Sequence, residues 1–334
     1  AGVPEGYALV ESETEGLYEI AKVWTVAYVN EGTTLQTDVV VDGAATPAYA
    51  GETPTKAATA QYIYTFSGWT PALAETVTAD ATYTAQYSSV PTLASVNGAY
   101  YATLSEAITA AESGDPVTLL DDVSSTTYAS VVSGKSITLD LNGKTLQSSS
   151  IGIVAWGDLT VTNGTISATQ SAILVSGGSV TVEADTTVVS TAANAIAFNT
   201  NSTGGSLTVN GGTVTAQEFC VQTGYSSSNT IVINGGTFNI TLPTSNHGGK
   251  SISADGNLSI SGGDFTITTQ GNGATYTISG NNKDAYTSSC LKCDGNMELL
   301  GGTFNLSSSG TGGKGINVGG TLVIGTEGGS NDVL

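Results

Sequence analysis

The sequence contains no arginine: its eight basic residues are all lysine, against 28 aspartate and glutamate residues, and the net charge is −20. A chain this acidic is repelled by the phosphates of nucleic acid and by anionic membrane surfaces, so neither is expected as a partner. The sequence also lacks a run of about 18 apolar residues, so no membrane insertion is predicted. Carboxylate oxygens are the ligands that Ca²⁺ prefers, which makes calcium a candidate cofactor.

Cysteine and histidine are scarce as well. The three cysteines, Cys220, Cys290 and Cys293, are an odd number, so a disulfide framework is not indicated. Cys290 and Cys293 form a single C-x-x-C pair, and His247 is the only histidine, so a zinc site is poorly supported. We expect these cysteines to be small core residues, with Cys293 pointing inward beside Ala254 of the preceding coil.

Charged residues make up only 11% of the chain, whereas glycine is abundant, with 43 residues. This composition favours an extracellular all-β protein built from small residues. A pattern of strand, glycine-containing turn and strand recurs at intervals of mostly about 21 to 27 residues, a period typical of solenoids. Six copies are recognisable, at residues 136–146, 158–166, 206–214, 230–238, 257–265 and 296–304.

A third short apolar segment precedes each pair of strands. These segments lie at residues 152–156, 172–175, 195–198, 219–222, 251–254, 290–293 and 315–318. Three short alternating strands per repeat predict a right-handed parallel β-helix with three sheets around a narrow core. A β-sandwich of hairpins is the alternative, but it gives no reason for near-identical copies.

The turns between the strands support the same fold. Asn142, Asn163, Asn210 and Asn234 each precede a glycine, and both residue types tolerate the positive φ of a sharp turn. We expect aligned asparagine side chains to hydrogen-bond to one another along the stack, in a buried corner.

Four segments are predicted along the chain. Residues 1–21 form a β-hairpin tail, residues 22–88 a small β domain, residues 89–116 a linker with a capping helix, and residues 117–334 the β-helix. The helix is predicted from the capping-box pattern Thr103 to Glu106, followed by apolar residues on one face. It would cover the core of the first coil and protect that end from aggregation.

The small β domain resembles the Listeria-Bacteroides repeat, also called the internalin B-repeat, at residues 41–43, 66–69 and 77–87. This resemblance implies a β-grasp-like spacer or weak interaction module of a multidomain bacterial surface protein. The hairpin at residues 3–20 resembles the closing tail that follows β-helix modules in such proteins. Two interpretations stay open: the chain is a piece of a longer array, or this tail completes the open coil at residues 320–334 of a neighbour in head-to-tail filaments.

A second resemblance covers residues 250–265, 284–296 and 314–320. These segments are similar to a bacterial family of carbohydrate-binding β-helices that bind polygalacturonate and look like pectate lyases. The resemblance implies Ca²⁺ ligands at Asp255, Asp284 and Asp294. One lysine recurs in each segment, and the three are predicted either to form a basic row that meets uronate carboxylates or to serve surface solubility: Lys250, Lys292 and Lys314.

Catalytic residues are not evident. Without arginine, only a lysine would serve as the base of a lyase, and the acidic pairs Asp284 with Asp294 or Asp255 with Asp264 would have to act as a hydrolase pair. We therefore predict a non-enzyme. The favoured hypothesis is an adhesin or stalk on the bacterial cell surface, and the alternatives are a calcium-dependent binder of acidic polysaccharide, a self-assembling extracellular filament subunit and, least supported, a polysaccharide lyase or hydrolase.

Overall fold

The computed structural model describes residues 2–11, 16–199, 204–216, 221–222, 229–244, 248–279, 282–286 and 288–325. The chain divides into two compact units, Ala1–Thr92 and Leu93–Leu334. Cys220, His247 and the predicted open coil beyond residue 325 lie outside the described residues.

The first unit is a mixed five-stranded sheet. Its strands are β1 (Tyr7–Glu11), β2 (Tyr18–Asn30), β3 (Thr33–Val41), β4 (Tyr62–Thr70) and β5 (Ala81–Pro91). β1 and β2 form the predicted antiparallel hairpin, and β2 pairs with β5 in parallel. The core contains Tyr28, whose ring meets Trp69 at a centroid distance of 4.8 Å, and Phe66 packs on the same indole at 5.3 Å. Two strands run across predicted segment boundaries: β2 crosses the boundary at residue 21, and β5 crosses the boundary at residue 88. The segment boundaries themselves stay predictions.

The second unit begins with β6 (Ala94–Val96), β7 (Ala99–Tyr101) and the helix α1 (Leu104–Ala110). The first coils contain β8 (Pro116–Leu119), β9 (Val123–Ser125), β10 (Ala129–Val131), β11 (Ser136–Asp140), β12 (Thr145–Ser148), β13 (Ile153–Ala155), β14 (Asp158–Thr162), β15 (Gly164–Ala168), β16 (Ile173–Val175), β17 (Ser179–Val182), β18 (Thr186–Ser190) and β19 (Ile196–Phe198).

The later coils contain β20 (Ser206–Val209), β21 (Thr213–Ala216), β22 (Val221–Gln222), β23 (Thr230–Ile233), β24 (Thr237–Leu242), β25 (Lys250–Ala254), β26 (Asn257–Ile260), β27 (Asp264–Thr269), β28 (Ala274–Ser279), β29 (Asn282–Tyr286), β30 (Ser289–Cys293), β31 (Met297–Leu299), β32 (Thr303–Ser308), β33 (Lys314–Val318) and β34 (Leu322–Ile324). β28 and β29 form an antiparallel hairpin inserted between β27 and β30, and this insertion enlarges its coil.

Three sheets wind around a common core, which confirms the predicted parallel β-helix. Sheet A contains eleven strands, from β7 and β6 through β8 to β34. Sheet B contains eight strands, from β9 to β32, and sheet C contains eight, from β10 to β33. Within the coils all neighbours pair in parallel, and apolar residues of successive coils stack inward. One such ladder in sheet A is Ile137, Leu159, Val180, Leu207, Ile231, Leu258 and Met297, each at most 2% exposed.

The strands β17 and β18 form a coil that the six recognised copies did not include. Its turn contains Glu183 and Asp185 where other copies have Asn-Gly, which hid the repeat. Asp185 nevertheless takes a positive φ of 61°. Aspartate tolerates this conformation because its short polar side chain can hydrogen-bond locally, so the coil closes without glycine.

The predicted helix cap is confirmed in α1. The hydroxyl of Thr103 accepts a hydrogen bond from the Glu106 backbone N–H at 3.2 Å, and the Glu106 carboxylate accepts one from the Thr103 N–H at 3.1 Å. Leu104 and Ile108 are buried against the first coil. At the other end of the helix, the ammonium of Lys135 donates to the carbonyl of Ile108 at 2.9 Å and to two further carbonyls. No helix in the described part of the chain is long and apolar enough to cross a membrane.

The asparagine turns differ in part from the prediction. Asn142 and Asn163 take positive φ values of 50° and 58°, but in the Asn-Gly-Gly copies the positive φ falls on the second glycine, as at Gly236 with 103°. The Asn234 amide donates to the Asn210 side-chain oxygen at 2.9 Å, so these asparagines do form a ladder. The ladder is exposed rather than buried, because apolar side chains fill the interior and leave the amides at the outer rim.

Candidate functional site

The three predicted lysines lie on three neighbouring strands of sheet C. β25 carries Lys250, β30 carries Lys292 and β33 carries Lys314. In the register of these strands, Lys250 and Lys314 occupy one ladder with Ser289 between them, whereas Lys292 lies three residues further along its strand, opposite Asn317. The lysines therefore share one sheet but are staggered rather than in single file.

Two of the predicted metal ligands lie next to each other on this sheet. Asp255 follows β25 directly, and Asp294 follows β30 directly. The Asp294 backbone N–H donates to the carbonyl of Ala254 at 2.9 Å, which aligns the two aspartates in adjacent coils. The sequence separates them by 39 residues because the β28–β29 hairpin lies between them.

The ammonium of Lys292 contacts both of these carboxylates. Its Nζ lies 3.8 Å from Asp255 Oδ1 and forms an ion pair with Asp294 Oδ2. The side chains of Lys292 and Asp255 are 17% and 19% exposed, whereas that of Asp294 is 54% exposed. Partial burial reduces screening by water, so the attraction between Lys292 and Asp255 is stronger than that of an exposed pair at the same distance.

We call five residues of this region the sheet C cluster: Lys250, Lys292, Lys314, Asp255 and Asp294. Burial raises the pKa of the Asp255 carboxyl above its ordinary value, although the Lys292 ammonium opposes the shift. Burial lowers the pKa of the Lys250 ammonium, and the neighbouring charge of Lys292 acts in the same direction. With all five groups charged, the cluster carries one net positive charge on a chain whose net charge is −20.

The sheet C cluster does not fit Ca²⁺ as it is arranged. Calcium takes six to eight oxygen ligands, and here two carboxylates already share the ammonium of Lys292. No group of three or more histidine, cysteine, aspartate or glutamate residues with metal-binding geometry occurs among the described residues. Asp284 lies on β29, in the inserted hairpin rather than in sheet C, and its side chain is outside the described residues. A calcium site that includes Asp284 therefore stays a prediction.

The two described cysteines belong to the core, as predicted. Cys290 and Cys293 are fully buried, and Cys293 is paired in register with Ala254. The Cys293 thiol donates to the carbonyl of Gly256 at 3.0 Å. Burial raises the pKa of both thiols above the usual value, so neither has the character of a nucleophile or a metal ligand.

The sequence analysis did not single out an aromatic pair on the same sheet. Trp156 follows β13 and Tyr128 precedes β10, and their ring centroids are 6.2 Å apart at an interplanar angle of 59°. Tyr128 is 47% exposed and Trp156 is 38% exposed. Trp156 occupies the same place after its strand as Asp255 and Asp294. The sequence signal for this pair was therefore a large aromatic residue at a position where other coils have small or polar residues.

The burial of Asp255 predicts a pH dependence of stability. Asp255→Asn is expected to raise the unfolding temperature at about pH 7, because the buried charge is removed. In the unmodified protein, the buried negative charge of Asp255 destabilises the fold, and this effect is fully present above the raised pKa of Asp255 in the folded state. It declines as the pH falls through that pKa towards the ordinary value of 3.8, because the folded state then binds a proton that the unfolded chain does not.

Thermal unfolding followed by circular dichroism at a series of pH values tests this prediction. The difference between the unmodified protein and Asp255→Asn should shrink as the pH is lowered. Asp264→Asn is the matched control, because the same substitution at this exposed position on β27 removes no buried charge. A difference that stays constant or grows at low pH would contradict the prediction.

A family model described as carbohydrate-binding domain-containing protein matches residues 226–333. This segment contains β23 to β34 and therefore the whole sheet C cluster. No curated protein and no solved structure matches the chain significantly. The family match and the β-helix together support a carbohydrate-binding β-helix and favour a binding role over catalysis.

Proposed function

We propose that this chain is a non-catalytic carbohydrate-binding protein whose sheet C cluster contacts an acidic polysaccharide. The observation that carries the proposal is the coincidence of the matched segment, residues 226–333, with the three lysines of neighbouring coils. This coincidence moves polysaccharide binding ahead of the adhesin or stalk hypothesis. The cell-surface location and head-to-tail association stay predictions from the sequence.

The charge of the cluster supports an anionic ligand. On a chain with net charge −20, a local excess of positive charge is a site where a carboxylate is attracted rather than repelled. Lys314 is exposed, and among the described residues its ammonium has a single, long contact of 3.4 Å, to Asn317 Oδ1. This ammonium is therefore well placed to donate to a uronate carboxylate, whereas Lys292 mainly neutralises Asp255 and Asp294.

The spacing of the coils suits a linear polymer. Adjacent strands of a sheet are about 4.8 Å apart, and a sugar in a linear 1,4-linked polysaccharide advances by a similar distance. Lys250 and Lys314 are two coils apart, so their ammonium groups can address alternate sugars of one chain lying across the strands.

The arrangement of acidic residues supports binding without bond cleavage. A hydrolase needs two carboxyl groups on opposite sides of the scissile bond. Asp255 lies after a strand of sheet C, whereas Asp264 begins a strand of sheet B, so this pair does not converge. Asp255 and Asp294 do lie together, but on one sheet of adjacent coils and both in contact with the ammonium of Lys292.

Lys314→Gln is expected to weaken the affinity for polygalacturonate by about three- to tenfold, because one charge-assisted hydrogen bond is lost. Isothermal titration calorimetry with oligogalacturonates measures this effect. Binding should persist in EDTA, since Lys292 already supplies a cation that contacts both aspartates, and no reducing or unsaturated sugar ends should be released.

Lys144→Gln is the matched control, because Lys144 is a lysine of the same unit that lies between β11 and β12, away from sheet C. It should bind like the unmodified protein. Equal loss of affinity in both variants would show that only the overall charge matters. A complete absence of binding to acidic polysaccharides would refute the proposal, and loss of binding in EDTA would restore the calcium hypothesis.

A further inference from the structure

We infer that Tyr128 and Trp156 form a second carbohydrate contact, a stacking platform for a pyranose ring at the far end of sheet C. The inference rests on the proposed function and extends it, because these residues lie outside the matched segment 226–333. It makes the binding site an extended track along one sheet rather than a single cluster.

The rings of Tyr128 and Trp156 are exposed on the surface of the coil rather than packed in its core. Apart from Tyr128 and Trp156, no aromatic side chain of the described part of the second unit is among its exposed large hydrophobic residues. Val132, in the coil next to Trp156, is also exposed at 55%. An exposed aromatic group adds little to folding stability, and such groups are typical of binding surfaces, where a flat apolar face and a polar edge are used together.

The place of Trp156 in the coil sets its direction. The backbone N–H of Trp156 donates to the carbonyl of Val131 at 2.9 Å, just as the backbone N–H of Asp294 donates to the carbonyl of Ala254. Ser176 and Asn199 take the same place in the next two coils, and the Asn199 amide donates to the Ser176 hydroxyl at 3.0 Å. The outer rim of sheet C thus runs from an aromatic pair through two polar residues towards the aspartates.

The distance between the two contacts suits an oligosaccharide. β13 and β25 are four strands apart in sheet C, which corresponds to about 19 Å at the usual strand spacing. A linear acidic polysaccharide can present carboxylates to the lysines and the apolar C–H face of a sugar to the indole. The aromatic rings contact the face of a pyranose because its axial hydrogens form a flat apolar surface, while its hydroxyls remain free to hydrogen-bond with water.

This arrangement predicts a dependence on chain length. An oligosaccharide of about four sugars reaches only one of the two contacts, whereas one of about eight or more spans both. Because two linked contacts strengthen each other, the longer oligosaccharide should bind more tightly. Trp156→Ala is expected to weaken the affinity for the long oligogalacturonate about tenfold and to leave the affinity for the short one within about twofold.

Calorimetric titration with oligogalacturonates of both lengths tests the inference. Trp156→Phe, which keeps an aromatic face, should restore most of the affinity for the long oligosaccharide, and circular dichroism should show unchanged folding. If the unmodified protein binds both lengths and Trp156→Ala binds each of them with the same affinity as the unmodified protein, the platform is overturned while the proposed function stands. If the unmodified protein binds neither, both fail, and equal loss of affinity for both lengths would also overturn the extended site.

Discussion

Truncation of Phe265 to alanine is expected to lower the free energy of unfolding by about 3–5 kcal/mol, the usual cost of deleting a buried aromatic ring. Phe265 is 1% exposed and lies between Phe238 and Phe304 of the neighbouring coils. Its ring stacks on theirs at centroid distances of 4.7 and 4.8 Å, with interplanar angles of 9° and 10°. Removing it leaves a cavity that a close-packed stack cannot fill by small movements.

Urea unfolding followed by far-ultraviolet circular dichroism measures this change. Phe304→Ala is the matched control, because it removes the same ring from the same ladder at a partly buried position. We expect its cost to be clearly smaller. Equal costs for the two variants would show that the stack contributes no more at its centre than at its end.

The second large effect is expected at a corner where two backbones touch. Gly178 lies directly over Gly157 of the preceding coil, and a Cβ at Gly178 would overlap the Gly157 carbonyl oxygen. Gly178→Ala must therefore push two coils apart and is expected to cost about 3 kcal/mol of unfolding free energy.

Gly315→Ala is the control for this substitution. Among the described residues, a Cβ at Gly315 meets one atom, the Cβ of Leu306, at an ordinary distance of 3.8 Å. Its effect on the unfolding free energy should stay within about 0.5 kcal/mol, and the same urea titration measures it. Comparable stability of the two alanine variants would contradict the close backbone contact at Gly178.

The fold followed from the sequence to a large extent, because its signals are local. The recurrence of apolar segments such as Leu207 to Val209 reflects the alternation of a strand, and the pattern from Thr103 to Glu106 reflects hydrogen bonds within one helical turn. The coil of β17 and β18 escaped this reasoning since Asp185 replaced the expected turn residues.

The candidate site was predictable only as a set of residue types. Lysine and aspartate recurred at Lys250, Lys292, Asp255 and Asp294, and the resemblance suggested that metal ions would bind the acids. The structure shows that the Lys292 ammonium contacts both aspartates, whereas calcium binding at Asp255, Asp284 and Asp294 stays a prediction. Side-chain direction in the coil decided this outcome, and a one-dimensional pattern does not contain it.

The sequence by itself determined the repeat, the three strands per coil and the helix that covers one end, since each depends on residues close together in the chain. Only the tertiary structure decided which residues of different coils meet. The β28–β29 hairpin separates Asp255 from Asp294 by 39 residues, yet the register brings them side by side. Likewise, Tyr128 meets Trp156 because the parallel strands β10 and β13 are neighbours in sheet C.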